Sequence, residues 1–404
     1  MATHSPIRRL FPILLINLTG FAIAIPVLPA LAYALGGSAV DVGLLYAVQS
    51  LGQFIMAPLW GKFSDRLGRK PILLATFAAA ALMELVTAFV GSLAFLYLTR
   101  FLVGLCAGNV ATASALIADS TDSTNRSKGM AIIGISFGVG FTLGPAIGAA
   151  VGIIAEPGVA GITGAGLPFA VAALMNLITL VLGILWLVEP SKDPRERAKN
   201  RAQRRADSIW KQLQRPPVFY LCALFLAYTI ALTVLEGTFF IYMEEVYGYD
   251  IVEVGFLLAA MGLLTALFHG AVHPLSRRIG DRNMVVVGVM TLGLALTIAP
   301  IYPPLWFLLT ALSFAAFGRA IVHPGILSLM STIDPHRGDT GQLMGMLTSA
   351  SSLGRIIGPA VGGIIFAHIS PQAPFYLAGL LLLITGLVWI LLWRRHDHST
   401  GAAT

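Results

Sequence analysis

Long apolar runs alternate with short polar or charged breaks along the whole chain. Apolar windows bounded by charge or turn residues fall at 11–35, 41–60, 71–91, 94–118, 129–152, 166–188, 217–243, 251–273, 284–302, 304–330, 341–367 and 373–393. Each is near the roughly 20 residues a helix needs to cross the hydrocarbon core of a bilayer. The pattern therefore predicts an all-α membrane protein with twelve transmembrane helices. The longest polar interval, 189–216, is rich in Arg and divides the chain near its middle. It sets off an N-terminal six-helix bundle at 1–188, a linker loop at 189–216 and a C-terminal six-helix bundle at 217–404. Arg8 and Arg9 ahead of the first run, with Ala30-Leu31-Ala32 at its far end, imitate a secretory signal. The run is long for a signal, however, and Pro26 and Pro29 suit a kinked span whose freed carbonyls are satisfied by neighbouring helices.

The pattern repeats. Gly144-Pro145-Ala146-Ile147-Gly148 in span 5 matches Gly358-Pro359-Ala360-Val361-Gly362 in span 11 at an offset of 214. Leu59 to Lys70 matches Ala271 to Arg282 at an offset of 212. Two ordered matches at nearly one offset indicate duplication of a six-helix unit. Six spans return the chain to its starting side, so the expected architecture is two parallel six-helix repeats, with a central seam where a midplane site can form. Gly134, Gly138, Gly140, Gly144 and Gly148 also supply the small-xxx-small spacing that lets helix backbones approach closely.

Composition agrees with membrane residence: 57% of residues are apolar and 11% charged, with a mean hydropathy of +0.83, against roughly a quarter charged in soluble domains. The net charge of +7 does not form one basic face, so no nucleic-acid partner is expected. If the N-terminus is cytoplasmic, 23 of the 26 Lys and Arg fall in loops on that side, as the positive-inside rule requires. Both termini are then expected on the cytoplasmic side of the inner (cytoplasmic) membrane. Cys106 and Cys222 both lie in apolar runs, which supports neither a disulfide scaffold nor a Cys-rich metal site.

The loop Gly61-Lys62-Phe63-Ser64-Asp65-Arg66-Leu67-Gly68-Arg69-Lys70-Pro71 carries an acid between basic residues and glycines at both ends. Asp65 can meet the positive N-terminal end of a following helix or a nearby Arg, while Arg69 and Lys70 can reach Asp119 at the end of span 4. With the glycine-proline motif of span 5, this loop resembles the major facilitator superfamily. That resemblance implies the major facilitator fold, and gating roles for Gly61, Asp65, Arg66, Gly68, Arg69, Lys70 and Asp119. Ile25-Pro26-Val27-Leu28-Pro29, the Arg100-xxx-Gly104-xxx-Gly108 run, Ala118-Asp119 and the glycine-rich span 5 are similar to the drug/proton antiporter group with twelve spans, tetracycline-resistance exporters in particular. Gly140, Gly144, Pro145 and Gly148 fall on the motif that group associates with antiport. Glu84 falls where those exporters carry an acid, whereas Asn17 replaces their acid in helix 1 and span 9 lacks theirs.

An ionisable group at the bilayer centre costs roughly 2.5–3.5 kcal/mol even on the gentlest scale, so each one invites a functional reading. The candidates for a proton-coupling site or substrate cavity are Arg100, Glu236, Glu84, Asn17, His269, Arg319, His323 and Arg355. By the resemblance, Arg100 and Glu236 sit on cavity-lining helices. Glu236 leads as proton carrier, since burial and a neighbouring Arg pull its protonation in opposite directions. Glu84 is expected to serve a local hydrogen bond. Asp41, Glu244, Glu245 and Glu253 lie near the opposite boundary and are expected to be solvated.

The resemblance implies a proton-coupled secondary active transporter, an exporter of amphiphilic small molecules such as tetracycline-like drugs, working as a monomer in the bilayer. Three arginines and two histidines at depth against two acids favour an alternative, transport of an anionic metabolite such as a carboxylate siderophore, a sugar acid or a lipid-like anion. No haem-like histidine pair, Gly-x-Ser-x-Gly elbow, HExxH or GxxxxGK[ST] loop occurs. An enzyme, a metal site, a cofactor and a primary pump are therefore not expected.

Overall fold

The structure, a computed structural model, describes residues 6–107, 112–113, 116–117, 123–154, 164–189, 212–302, 304–333 and 340–401. The described residues form twelve α-helices and one short 3-10 turn. The helices are α1 Pro6–Ala34, α2 Ala39–Leu67, α3 Arg69–Ala88, α4 Leu93–Cys106, α5 Ser123–Ile154 and α6 Leu167–Trp186, followed by α7 Pro216–Tyr247, α8 Ile251–His269, α9 Val272–Ile298, α10 Leu305–Thr332, α11 Thr340–His368 and α12 Ala373–Gly401. Ten include a stretch long and apolar enough to cross a membrane, and Leu93–Cys106 and Gly138–Gly152 are shorter apolar helices.

Helix and apolar window differ most at the two duplicated loops. The residues after position 60, read as a loop, are helical to Leu67. Those after 273 belong to α9, which is broken at Gly280. Charge ends a hydropathy window but not a helix, because Lys and Arg are good helix formers.

By its contacts the chain divides into two units, Met1–Arg197 with Gly237–Leu263, and Ala198–Glu236 with Leu264–Thr404. In the first, α1 packs on α5 and α6, α2 on α4, and α3 on α4 and α6. In the second, α9 packs on α10 and α12.

The duplication is written into the backbone. The positive-φ glycines form two pairs at an offset of 212: Gly36 (φ 81) with Gly248 (φ 70), and Gly68 (φ 106) with Gly280 (φ 78). At the same offset, Ser38 and Asp41 form a capping box at the start of α2. The backbone N–H groups of Val252 and Glu253 donate to Asp250, and that of Asp250 to Glu253, at the start of α8. Both arrangements satisfy orphan N–H groups where a helix begins. They account for Asp41 and Glu253, expected only to be solvated.

The second offset, 214, marks the packing seams. A Cβ on Gly144 would come within 2.5 Å of Ala22 Cβ, and one on Gly148 within 2.8 Å of the Ile23 carbonyl oxygen. Gly140 faces Leu18 and Thr19 in the same way, so α5 lies backbone to backbone on α1. In the other repeat Gly354, Gly358 and Gly362 press on Thr229, Thr233 and Val234 of α7. Thr233 Oγ1 donates to the Gly354 carbonyl at 3.1 Å across that seam.

Pro29 cannot donate to the carbonyl of Ile25, four residues back. Tyr46 Oη of α2 donates to that oxygen at 2.6 Å, which satisfies the freed group from a neighbouring helix. Asn17 Nδ2 donates to Asn176 Oδ1 at 2.8 Å, so this candidate, 4% exposed, ties α1 to α6.

Gly144→Ala and Gly358→Ala are expected to lower the thermal unfolding midpoint of the purified protein, at about 1–3 kcal/mol each for overpacking. Gly138→Ala, with nothing within 4 Å of the new methyl, is expected to leave the midpoint in place.

Candidate functional site

The described intramembrane charges form two ion pairs of opposite character. On α4, Arg100 is 0% exposed, and Glu84 on α3 is 3% exposed. Arg100 Nη2 donates to Glu84 Oε2 at 2.9 Å and to Thr87 Oγ1 at 2.7 Å. Its guanidinium lies over the Phe169 ring of α6, 5.0 Å from the centroid, a cation–π contact. Arg100 Nε and Nη1 have no hydrogen-bond partner among the described residues. The pair thus joins α3, α4 and α6 through one edge of the guanidinium. Glu84 is hydrogen-bonded to Arg100, the residue read as a separate coupling group.

The second pair is looser and more open. Glu236 on α7 and Arg355 on α11 approach to 4.0 Å, with side chains 20% and 38% exposed. Both positions are well inside their apolar stretches. On α10, Arg319 and His323 are exposed, and no carboxylate pairs with Arg319 among the described residues. Tyr228 of α7 donates its hydroxyl to the Arg319 backbone oxygen at 3.4 Å. Phe225 stacks on Tyr228, with centroids 6.0 Å apart, and meets the His323 ring at 5.5 Å. His269 closes α8, its Nδ1 2.8 Å from the Thr265 carbonyl oxygen. Glu236, Arg319, His323, Arg355 and His269 therefore share the second unit, while Arg100, Glu84 and Asn17 belong to the packing of the first.

At the loop between α2 and α3, Glu189 is the described carboxylate on the N-terminal end of α3. Arg69 N–H donates to its Oε1 at 2.8 Å and Lys70 N–H to its Oε2 at 2.6 Å. Lys70 Nζ donates to the Ile184 carbonyl at 3.0 Å, binding the same end of α6. Gly68 makes this approach possible, since a Cβ there would lie 3.0 Å from Glu189 Oε1. Arg69 is buried and its Nη1 donates to Ser64 Oγ at 2.5 Å. Arg66 is exposed, and Gly61 has open space where a Cβ would point. Asp119 and Gly108, the Asp65 side chain and the contacts expected of them lie outside the described residues.

The copy between α8 and α9 keeps the geometry with its charge reversed. Ser276, at offset 212 from Ser64, donates to Asp281, which stands where Arg69 stands in the first repeat. Ser328 of α10 donates to the other carboxylate oxygen of Asp281. Sequence comparison missed Glu189, Asp281 and Ser328. The signal for Asp281 was its place one residue after the aligned glycine, whereas Glu189 carried none beyond being the first charge after span 6.

Twelve helices in two repeats, with charges held well inside the apolar segments, define a membrane transporter built by duplication. The family model of the Major Facilitator Superfamily matches residues 10–335 and 242–403, and the chain belongs to that superfamily. Among its relatives, the class B tetracycline resistance protein of Escherichia coli is 31% identical over 368 residues, covering 89% of this chain and 88% of that one. Multidrug resistance protein 2 of Bacillus subtilis is 25% identical over 98% of each chain. Among solved structures, the human organic anion transporter MFSD10 (TETRAN) is 26% identical with a TM-score of 0.71, covering 96% of this chain and 100% of that one. A bacterial homologue of the human lysosomal transporter Spinster, in an inward-facing and occupied conformation, has a TM-score of 0.78 over 96% of each chain at 17% identity, which shows the shared fold.

Glu84→Ala leaves a buried guanidinium uncompensated and is expected to destabilise the protein by about 3–5 kcal/mol. Glu236→Ala, in the more open pair, is expected to change stability by about 1 kcal/mol or less. Thermal unfolding of the two purified variants side by side checks both. Glu189→Ala removes the cap on α3 and is expected to cost about 0.5–2 kcal/mol, read from the same melting curves.

Proposed function

We propose that this protein exports amphiphilic drugs of the tetracycline class across the bacterial inner membrane in exchange for protons, with Glu236 as the proton carrier. Drug export is supported by the relatives, which are tetracycline and multidrug resistance proteins over most of both chains. The assignment of Glu236 rests on one observation, the 4.0 Å pair with Arg355 inside the apolar segments, both side chains partly open. A carboxylate there can take a proton from water when its side of the membrane opens. The guanidinium of Arg355, at that distance, is the counter-ion the carboxylate meets once the proton leaves. Glu84, locked at 2.9 Å in a closed environment, lacks that freedom and serves better as a strut.

Both termini on the cytoplasmic side, with residues 1–188 and 217–404 as two bundles joined by the linker 189–216, complete this reading. A monomer suffices, because one chain carries both repeats. The Gly61–Lys70 segment then acts as the cytoplasmic gate, with Glu189 on the N-terminus of α3 coupling it to the start of the linker.

Proteoliposomes loaded with tetracycline and given an imposed proton gradient test the proposal. Wild-type protein is expected to move drug against its concentration in response to the gradient. Glu236→Gln is expected to lower gradient-driven movement at least about tenfold while still exchanging drug down its own gradient. Gradient-driven movement equal to wild type in Glu236→Gln would remove Glu236 from the coupling role.

A further inference from the structure

Two helices of the second unit each present two exposed stripes of unlike chemistry. On α10 the apolar stripe runs through Trp306 and Phe314, 64% and 58% exposed, with Thr310 between them. Arg319 follows Thr310 by nine residues and His323 follows Phe314 by nine, which at 100° per residue places each roughly 180° from its counterpart. On α11 Leu353, Ile357 and Ile364 are exposed. Thr348 precedes Ile357 by nine residues, again roughly 180° around the helix, and Thr348, Ser352 and Arg355 follow one another on that polar side.

A lipid-facing surface takes the apolar stripes. An unpaired guanidinium is too costly there, so the polar stripes face away from lipid. Arg319 is fourteen residues into α10, about 21 Å along its axis, deeper than a headgroup reaches. Arg355 already has Glu236 as partner, whereas Arg319 has its backbone oxygen held by Tyr228 and its guanidinium has no carboxylate partner among the described residues. The net charge of this face is positive even with both histidines neutral.

We propose that the polar stripes of α10 and α11 form a recognition site for an organic monoanion, whose carboxylate is received by Arg319 of α10, with the hydroxyls of Thr348 and Ser352 of α11 as further hydrogen-bond donors. A planar guanidinium offers paired donors that match a carboxylate. His323, pressed on Phe225, offers a further ring N–H on the same side of α10. This site deepens the export reading and rests on it: the amphiphile carried is selected for negative charge.

Three probes of one shape separate charge from bulk: 1-naphthoate, 1-naphthylmethanol and 1-naphthylmethylammonium. Binding is measured on the full-length protein in phosphatidylcholine nanodiscs. The anion is expected to bind at least about tenfold more tightly than the alcohol, and the cation more weakly than either. Arg319→Gln is expected to bring the anion-to-alcohol ratio near one, and Arg319→Lys to retain a preference for the anion. Size exclusion and thermal unfolding establish that each variant is folded. Equal affinity for anion and alcohol in the wild type, or an unchanged ratio in folded Arg319→Gln, overturns the proposal. Loss of naphthoate binding when phosphatidylglycerol replaces half of the lipid would assign the site to a headgroup and overturn it as well. The export reading is judged separately by gradient-driven tetracycline movement in proteoliposomes. Movement without anion preference sinks this inference alone, and anion preference without movement sinks the export reading alone.

Discussion

Helices in a bilayer gain nothing by hiding apolar side chains from water, since the lipid is as apolar as they are, so cohesion depends on how closely their backbones approach. Everything else in this molecule is arranged around that requirement. The glycines at 140, 144 and 148 bring α5 onto α1, and those at 354, 358 and 362 bring α11 onto α7. The same shortage of water forces each broken backbone bond to find a partner, and Tyr46 supplies one to the oxygen that Pro29 leaves free. Asn17 with Asn176, and Arg100 with Glu84 and Thr87, are further polar clasps between helices already in contact.

The two ion pairs show how one chemical motif yields different properties in different surroundings. A 2.9 Å pair sealed from solvent is costly to break. A 4.0 Å pair with partly exposed side chains contributes little to cohesion and leaves its carboxylate within reach of water. The charge reversal between Arg69 and Asp281 is a similar case. Each sits one residue after a positive-φ glycine and bonds the serine five residues before it, so the local geometry survives while the electrostatics differ.

The helix count, the duplication and the two offsets were legible in the chain because each is a property of spacing. Hydrophobic length reports a span and glycine spacing reports a seam, and neither depends on knowing neighbours. The structure extended the same register to Gly36 with Gly248 and to the caps at Ser38 and Asp250, which hydropathy does not register. Pairing was not legible. Glu84 and Arg100 are on different helices, and their meeting depends on the rotation of each about its axis. Glu189 looked like the first residue of a linker because only its approach to Arg69 and Lys70 reveals it as a cap. The residues of α10 and α11 were visible as charges, but their separation from the lipid-facing stripes required the exposed positions to be known.

The packing seams also bear on how the protein can change. A seam glycine has no neighbouring sequence solution: even a methyl at 144 or 358 meets an atom of the facing helix, so these positions are closed to drift. Thr348 and Arg319 carry exposed side chains, away from the glycine seam between α7 and α11, and substitutions there disturb no seam. Under selection by a new toxic compound, variation is therefore channelled into the second repeat's polar stripes. The second repeat thus holds its seam fixed while the remaining faces of the same helices are open to new cargo.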